Sequence, residues 1–163
     1  QSIKEKWLPN YSIRLVEGAD SRFHSVRNGL KGVDGTGIVA IHDAARPCVS
    51  TRLINSSFKA ASVYKSAVAA VALKDSIREK SGSTTIPRDR SNYYLVQTPQ
   101  TFDNKLLKKA YMQPYNNHFT DDASVVSSDG HEVHLIEGSY ENIKITTDGD
   151  LYLAKLFLSK NLA

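Results

Sequence analysis

Cysteine is nearly absent from the sequence. Cys48 is the only one among 163 residues, so the chain can form no internal disulfide and no multi-cysteine zinc site. A single cysteine is typical of a reducing compartment, and we expect a cytoplasmic protein. No histidine stands beside Cys48 to act as a base, which favours a packed, unreactive thiol over a catalytic one.

Long apolar runs and blocks of like charge are absent as well. The longest uninterrupted apolar run, residues 67–73, is far shorter than the ~20 residues that a membrane-spanning helix requires, so we expect no membrane association. Basic residues outnumber acidic ones by 21 to 17, but they are scattered, and Lys108-Lys109 is the longest basic run. Aromatic residues do not alternate with them as on a single-strand binding surface, so we expect no nucleic-acid partner.

What the sequence does contain is the pattern of an α/β protein. Apolar residues make up 40% and charged residues 23%, an ordinary balance for a globular domain. Short apolar runs that suit strands alternate with stretches of helical periodicity. This order predicts one α/β domain, residues 1–163, with a mostly parallel sheet. The predicted strands cover residues 13–16, 38–42, 67–73, 93–97 and 132–136, and the predicted helices cover residues 21–30, 50–65, 103–110, 120–129 and 150–162.

A polar β-hairpin is predicted after the third of these strands. Residues 76–80 and 84–86 flank the Ser81-Gly82-Ser83 turn and offer little apolar surface to bury. An arm of this kind usually packs on another chain. We therefore expect the segment at about residues 75–96 to contact a second subunit.

Several common active-site patterns do not fit. The chain has no Gly-x-Ser-x-Gly motif, which excludes the usual hydrolase turn between strand and helix. His131 and His134 stand three positions apart on a predicted strand and face opposite sides, so we interpret them as surface histidines rather than metal ligands. The Gly35-Thr36-Gly37 segment precedes a strand instead of opening a helix, unlike a dinucleotide-binding loop.

Four polar clusters remain, and a parallel sheet would place them near the carboxyl ends of its strands, where ligands bind. Helix-start amides, arginines and a strand-end lysine suit a phosphorylated ligand, and the carboxylate of Asp43 suits Mg²⁺ or a sugar hydroxyl. Each cluster has a plainer alternative: a capped turn, an Asp–Arg surface pair, solvated arm charges, or an N-cap beside a surface lysine. The clusters are residues 18–25, residues 42–47, residues 87–90 with 97–100 and Ser76, and residues 120–124 with 142–146.

Together these clusters resemble one family, the 2-C-methyl-D-erythritol 4-phosphate cytidylyltransferases of the non-mevalonate isoprenoid pathway. The related ribitol-5-phosphate cytidylyltransferases are the nearest alternative, but Ala44-Ala45 and Asp122-Ala123-Ser124 look more like the methylerythritol group. The matching motifs occur in the family's order along nearly the whole chain. They are Arg22-Phe23-His24-Ser25-Val26, His42-Asp43-Ala44-Ala45-Arg46-Pro47, Lys74-Asp75-Ser76, Asp89-Arg90, Gln97-Thr98-Pro99-Gln100, Thr120-Asp121-Asp122-Ala123-Ser124 and Asn142-Ile143-Lys144-Ile145-Thr146.

The resemblance implies a Rossmann-like nucleotidyltransferase fold with helices on both faces of the sheet and a protruding β-arm. It implies transfer of CMP from CTP to 2-C-methyl-D-erythritol 4-phosphate, giving 4-diphosphocytidyl-2-C-methyl-D-erythritol and pyrophosphate, with Mg²⁺ bridging the phosphates. It also implies a homodimer in which the arm crosses to the neighbouring subunit's site.

Site residues follow from the same resemblance, position by position. Arg90, Lys144 and Asp43 would be catalytic, with Asp43 also at the metal. Ser76 stands where the family often has threonine, and Ala19 stands where glycine is common. The remaining positions would bind ligands: Arg46, Ser76 and Thr120 the methylerythritol phosphate, and Ala19, Asp20, Arg22, Ser25 and Ala44 the nucleotide.

One family motif has no counterpart. The Gly-rich loop that bears an arginine, is followed by a lysine and cradles the triphosphate does not occur in the 163 residues. We therefore expect about two strand–helix units to be missing, on the order of sixty residues at ~30 per unit. We also expect the 163-residue chain by itself to be inactive. The alternative is a non-catalytic fragment that forms dimers and binds ligand.

Overall fold

The computed structural model describes residues 13–160. No helix in that range combines the length and the apolar character needed to cross a bilayer. A 3₁₀ turn, Arg90–Asn92, lies between the hairpin and the strand that follows it. The helices are α1 (Arg22–Lys31), α2 (Thr51–Tyr64), α3 (Asn104–Ala110), α4 (Asp122–Ser128) and α5 (Asp148–Lys160), and the strands are β1 (Ile38–Ile41), β2 (Ser66–Ala72), β3 (Ile77–Ser81), β4 (Thr84–Arg88), β5 (Tyr94–Asp103) and β6 (Leu135–Glu137).

Four of the strands form one sheet in the order β1–β5–β2–β6. β2 pairs parallel with β6, and both β1 and β2 pair antiparallel with β5. Three of the four strands therefore share one direction, which confirms the predicted α/β class with a mostly parallel sheet. Because β5 lies between β1 and β2, the β1–α2–β2 connection passes over one intervening strand.

β5 is longer than the sequence predicts. The predicted strand stops at residue 97, before Pro99, whereas the observed strand continues to Asp103. Proline supplies no N–H to a ladder, and the register between β5 and β2 shifts at this point. Pairing resumes at Gln100, which has partners on both β1 and β2. The predicted end was wrong because pairing on two sides of the strand outweighs the local effect of one proline.

β2 supplies the centre of the core. Residues 66–71 are all buried, as the apolar run predicts for a strand that is covered on both faces. Burying each large apolar side chain contributes roughly 1.5–3 kcal/mol, so the packing around β2 is a major part of the stability. Phe23 and Tyr111 anchor the first turn of α1 and the end of α3 in this core. Its members are Phe23, Leu30, Val68, Phe102, Leu107, Ala110, Tyr111, Val125 and Val126.

Side-chain caps mark where the helices begin. Ser50 caps α2 and Asp103 caps α3, as predicted. At α4 the cap is Asp121, whose carboxylate accepts the N–H of Ser124 at 2.8 Å while the Ser124 hydroxyl accepts the N–H of Asp121 at 3.1 Å. This reciprocal capping box satisfies two otherwise unpaired donors and leaves Thr120 outside the helix.

Two segments differ from their predicted strand character. Residues 13–16, predicted as a strand, have no regular structure. They pair with no strand among residues 13–160, and Leu15 is 75% exposed. Lys144, expected at the end of a strand, lies in the irregular segment 142–146. The predictions were wrong because an apolar run becomes a strand only where a neighbouring strand offers a ladder.

The predicted polar hairpin is confirmed. β3 pairs antiparallel with β4, and Gly82 has a φ of 60° in the turn, where glycine is favoured. Every residue of β4 is exposed, which agrees with the expectation that this arm has little to bury by itself. Its contact with a second subunit stays a prediction, as does the assignment of residues 1–163 to one domain.

Candidate active site

Asp43 follows the carboxyl end of β1 and lies at the centre of a charged cluster. Its Oδ2 is 2.9 Å from Lys144 Nζ, and its Oδ1 is 3.5 Å from Arg22 Nε. Burial by itself raises the pKa of Asp43, but the hydrogen bond from Lys144 and the charges of Arg22, Lys144 and Arg46 hold that pKa below its usual value. Asp43 is therefore an ionised carboxylate between cations. The structure thus brings together Asp43, Lys144 and Arg22 from three separate sequence motifs.

The loop of residues 42–47, which carries Asp43, is held by β5. The N–H of Asp43 donates to Thr98 Oγ1 at 3.0 Å. His42 Nδ1 lies 3.1 Å from the same hydroxyl, and His42 Nε2 lies 3.0 Å from the carbonyl oxygen of Arg46. A carbonyl only accepts, so in the neutral imidazole Nε2 carries the proton and Nδ1 accepts from the Thr98 hydroxyl. These bonds fix the backbone that presents the Asp43 carboxylate.

Thr98 is a site residue that the sequence analysis missed. Its motif was recognised, but the residue received no role because the motif was taken to follow the end of a strand. Thr98 is only 4% exposed, and the pairing of β5 with β1 brings its hydroxyl to Asp43. No local sequence pattern predicts this contact, since the two residues are 55 positions apart in the sequence.

Lys144 reaches Asp43 from an irregular segment that is anchored by a buried side chain. Asn142 is fully buried and donates through Nδ2 to the carbonyl oxygen of Thr98 at 2.8 Å. Thr98 therefore contacts the Asp43 loop through its side chain and the Lys144 segment through its backbone. This double contact explains why two segments about a hundred residues apart meet at one carboxylate.

Arg46 fastens the same segment to the Asp43 loop. Its Nη1 donates to the carbonyl oxygen of Asn142 at 2.8 Å, and the N–H of Ile145 donates to the carbonyl oxygen of Ala45, also at 2.8 Å. Burial lowers the pKa of Arg46, and the charge of Asp43 opposes that shift. The Nε of Arg46 is buried and has no partner within residues 13–160. This buried Nε–H is therefore left unused by the described residues.

Arg22, in the first turn of α1, contacts a second carboxylate. Its Nη2 is 2.6 Å from Asp122 Oδ2, and the hydroxyl of Tyr111 donates to Oδ1 of the same group. Burial raises the pKa of Asp122, although the hydrogen bonds from Arg22 and Tyr111 oppose the shift. Burial alone would lower the pKa of Arg22, but the hydrogen bond and charge of Asp122 raise it. The guanidinium of Arg22 thus lies between Asp43 and Asp122, and its nucleotide-binding role stays a prediction.

The predicted nucleotide residues Ala19, Asp20 and Ser25 lie together at the start of α1. The Ser25 hydroxyl accepts the N–H of Ala19 at 2.9 Å, which ties the turn to the helix. Ala19 and Asp20 are exposed, so this turn is accessible beside a helix N-terminus, a favourable position for polar ligand groups. Ala44, the other predicted nucleotide residue, is exposed in the loop of residues 42–47.

Thr120 is exposed immediately before the N-cap of α4. Gln100 of β5 holds this helix end, since its Nε2 donates to Asp121 Oδ2 at 2.9 Å and its Oε1 accepts the N–H of Ala123 at 2.8 Å. Gln100 is only 1% exposed. β5 therefore supports both the Asp43 loop, through Thr98, and the turn that carries Thr120. The motif that contains Gln100 gives no local sign of this role.

Arg90 and Ser76 are not brought to this cluster. Both are exposed at the base of the arm, and the Arg90 guanidinium donates to the carbonyl oxygen of Lys74. No hydrogen bond or ion pair in the described part of the chain joins either of them to Asp43. Their expected place in a neighbouring subunit's site stays a prediction.

Among residues 13–160, no group of three or more His, Cys, Asp or Glu side chains could hold a metal ion. His131 and His134 have other neighbours: His131 Nε2 is 3.3 Å from Asp129 Oδ2, and the His134 ring stacks on Tyr64 with the ring centres 3.8 Å apart.

Comparison with known proteins identifies the family. The family model of 2-C-methyl-D-erythritol 4-phosphate cytidylyltransferase (IspD) matches residues 2–160. The chain belongs to this family. The match extends across the described elements, and it confirms the resemblance that the seven motifs indicate.

Two curated relatives and one solved structure give the extent of the match. The chain is 45% identical over 146 residues to the 2-C-methyl-D-erythritol 4-phosphate cytidylyltransferase of Phocaeicola vulgatus and 48% identical over 146 residues to that of Bacteroides fragilis. Each alignment covers 88% of this chain and 66% of the relative, so the chain spans just under two thirds of these proteins. The crystal structure of 4-diphosphocytidyl-2C-methyl-D-erythritol synthase from Anaerococcus prevotii is 30% identical and superposes with a TM-score of 0.85, covering 96% of this chain and 76% of that one. This agreement confirms the Rossmann-like nucleotidyltransferase fold.

Proposed function

We propose that this protein transfers CMP from CTP to 2-C-methyl-D-erythritol 4-phosphate, forming 4-diphosphocytidyl-2-C-methyl-D-erythritol and pyrophosphate. The observation that carries the proposal is the Asp43 carboxylate, held 2.9 Å from Lys144 and 3.5 Å from Arg22. Membership of the family supports the choice of substrates.

In this reaction an oxygen of the methylerythritol phosphate attacks the α-phosphorus of CTP. A new phosphorus–oxygen bond forms, the bond from the α-phosphorus to the oxygen that bridges to the β-phosphate breaks, and pyrophosphate leaves with that electron pair. The attacking phosphate is already ionised, so no side chain has to remove a proton. The protein contributes mainly by positioning the phosphates and stabilising negative charge.

Lys144 is the cation that we assign to the reacting phosphates. An ammonium carries three donors, and the contact with Asp43 at 2.9 Å uses one of them. The other two remain for phosphate oxygens. We place Arg90 with Lys144 on the attacking phosphate, and Arg46, Ser76 and Thr120 on the rest of that substrate.

The turn that precedes α1 is our candidate for the cytidine end of CTP. Ala19 and Asp20 are exposed there, and Ser25 holds the turn through its bond to the Ala19 N–H. Backbone groups and a carboxylate at one turn suit the donors and acceptors of a base edge. We place Ala44 and Arg22 nearer the phosphates because both lie beside Asp43.

Mg²⁺ fits this donor set. Asp43 is ionised, because neighbouring cations lower its pKa, and one carboxylate together with substrate phosphates is a common way to hold Mg²⁺. Bound there, the ion would neutralise charge on the phosphates during transfer. Asp122, the other carboxylate in contact with Arg22, has its two oxygens occupied by Arg22 and Tyr111, so we assign the ion to Asp43.

We also propose a cytoplasmic homodimer built through the arm, within one domain that covers residues 1–163. The exposed apolar start of β5 supports the dimer: Tyr94 is 52% exposed, Leu95 55% and Val96 42%. A second subunit would cover these side chains and would receive Arg90 and Ser76 at its own site.

The proposal is tested on a chain of the relatives' full length, by pyrophosphate release from CTP in the presence of methylerythritol phosphate. Arg90→Ala is expected to lower kcat by about 100-fold or more, because it removes a cation that contacts the reacting phosphate. Arg88→Ala on the same arm is the matched control, since Arg88 pairs with Glu79 within the hairpin and should leave turnover unchanged. Equal losses in both variants, or preference for ribitol 5-phosphate, would contradict the proposed assignment.

The expectation that the 163-residue chain does not turn over by itself remains part of the proposal. It is supported by the lack of a Gly-rich loop with an arginine and a following lysine in these residues. The same assay tests it when the 163-residue chain is compared with a chain of the relatives' full length. Pyrophosphate release at equal rates by both chains would contradict this part, and ligand binding without turnover by either chain would favour a non-catalytic binding role.

A further inference from the structure

Asp122 is a buried carboxylate to which neither the motifs nor the proposed reaction gives a role. It is the first residue of α4, and its side chain is fully buried. Both of its oxygens are occupied: Oδ2 accepts from Arg22 Nη2 at 2.6 Å, and Oδ1 accepts from the Tyr111 hydroxyl at 2.5 Å. A buried carboxylate is costly unless it is paired and hydrogen-bonded, so this group is bound firmly to both partners.

Tyr111 is itself fixed by packing. It is 2% exposed, and its ring stacks on Phe23, with the ring centres 4.8 Å apart and an angle of 24° between the planes. Phe23 is the neighbour of Arg22 in the first turn of α1. The backbone of Arg22 is therefore adjacent to Phe23, and the Asp122 carboxylate that binds its guanidinium is bonded to Tyr111. Both ends of Arg22 are thus held by the same packed aromatic pair.

Arg22 connects this buried support to the site. Its guanidinium is planar and rigid, so the direction of one nitrogen determines the directions of the others. With Nη2 on Asp122, Nε lies 3.5 Å from Asp43 Oδ1. The other oxygen of Asp43, Oδ2, lies 2.9 Å from Lys144 Nζ. A continuous series of contacts thus leads from Tyr111 through Asp122 and Arg22 to Asp43.

We propose that Asp122 and Tyr111 are positioning residues, which hold Arg22 so that its Nε stays against Asp43 and thereby orient the Asp43 carboxylate opposite Lys144. Both side chains are buried, which keeps them from direct contact with a bound substrate. The effect on turnover rests on the proposed function, whereas the effect on Arg22 and Asp43 can be measured without any reaction.

The chain offers a matched pair of variants for the test. Tyr111 and Tyr115 both pack on Phe23, at ring-centre distances of 4.8 and 5.7 Å, but of these two hydroxyls only that of Tyr111 donates to Asp122. Tyr111→Phe removes that hydroxyl and keeps the ring. Tyr115→Phe removes a hydroxyl at a partly exposed position, and it serves as the control.

The first readout is the Nε–H signal of Arg22 in a ¹H–¹⁵N spectrum, assigned by its loss in Arg22→Lys. We expect it to shift in Asp43→Asn, because Nε lies 3.5 Å from that carboxylate. In Tyr111→Phe and Asp122→Asn it should exchange with solvent at least about tenfold faster, since local opening becomes easier, and it should respond less to Asp43→Asn. Tyr115→Phe should leave it unchanged. An Arg22 signal that is the same in all these variants would overturn the proposal.

The second readout separates positioning from folding. In an active chain, Asp122→Asn should lower kcat by about 10- to 100-fold, with Tyr111→Phe smaller in effect. Asp122→Glu keeps a carboxylate and should recover part of kcat. A variant that loses thermal stability but keeps kcat well below its Tm would show a structural role only and would contradict the proposal. If no chain releases pyrophosphate, the proposed function fails, and the Arg22 signal still decides the positioning role.

Discussion

Thr98 illustrates how single hydrogen-bonding groups organise this site. Its hydroxyl accepts the N–H of Asp43 at 3.0 Å and lies 3.1 Å from His42 Nδ1, while its carbonyl oxygen accepts from Asn142 at 2.8 Å. A buried backbone donor that loses its acceptor carries the whole cost of its desolvation. At the scale of residues, the position of the Asp43 carboxylate therefore depends on one hydroxyl that makes no charged contact.

Replacement of Thr98 tests this dependence. Thr98→Val keeps the shape but removes the hydroxyl, and leaving the Asp43 N–H without an acceptor should cost about 1–3 kcal/mol. Thr98→Ser keeps the hydroxyl and removes one methyl group, which costs about 0.8 kcal/mol on the same scale of burial. Urea unfolding should therefore rank the valine variant as the less stable of the two. The reverse order would show that the methyl group matters more than the bond to Asp43.

At the scale of elements, the beginning of α5 shows how local side chains set a helix boundary. Asp150 Oδ2 accepts from the N–H and the hydroxyl of Thr146, at 3.0 and 2.9 Å, and from the N–H and the hydroxyl of Thr147, at 2.8 and 2.9 Å. These bonds lower the pKa of Asp150 to about 2. They also tie the helix to the segment that carries Lys144. The cap therefore stabilises the position of that segment as well as the helix end.

The pH dependence of this cap follows from the direction of the shift. Because the folded-state pKa is lowered from 3.8 to about 2, the stabilisation is fully present above about pH 4 and is lost as the pH falls towards 2. Asp150→Asn should therefore lower the Tm at neutral pH, and the difference from the unchanged chain should close between about pH 4 and pH 2. Asp148→Asn removes the same charge from the same turn without these bonds. A Tm difference for Asp150→Asn that stays constant down to pH 2 would contradict the prediction.

At the scale of the whole molecule, the site is assembled from segments that are distant in sequence. α1 supplies Arg22, the loop after β1 supplies Asp43 and Arg46, and the irregular segment before α5 supplies Lys144. β5 contacts the loop after β1 through Thr98, and it contacts the irregular segment before α5 through Thr98 and Gln97. The arm stands apart, with Arg90 exposed, and in the proposed homodimer it would contribute Arg90 to the second subunit's site.

Complementation tests this arrangement. Arg90→Ala and Lys144→Ala chains are each expected to be nearly inactive as homodimers in an otherwise active protein. When the two are co-expressed, each mixed dimer contains one site with an intact Lys144 and an intact Arg90 from the partner. About half of the dimers are mixed, so about a quarter of the unchanged activity should return. If Arg90 served its own subunit's site, no mixed dimer would contain an intact site and no activity would return.

The sequence by itself determined most of the local structure, because caps and hydrophobic periodicity act between near neighbours. Ser50, Asp103 and Asp121 begin helices where their side chains can accept helix N–H groups. The uninterrupted apolar run of β2 likewise predicts a buried strand, although the strand forms only with its ladder partners. The motifs also identified the family, since residue types in a given order are a property of the chain alone. Asp43, Arg46 and Lys144 entered the candidate site in this way.

Only the tertiary structure decided how these pieces meet. It placed β5 between β1 and β2 and continued that strand past Pro99, because ladder partners on both sides come from other parts of the chain. It left residues 13–16 without a strand, since no partner among the described residues reaches them. It also joined Thr98 to Asp43 and Asp122 to Arg22 across 55 and 100 positions. Such pairings depend on packing in three dimensions, which no local pattern in the sequence encodes.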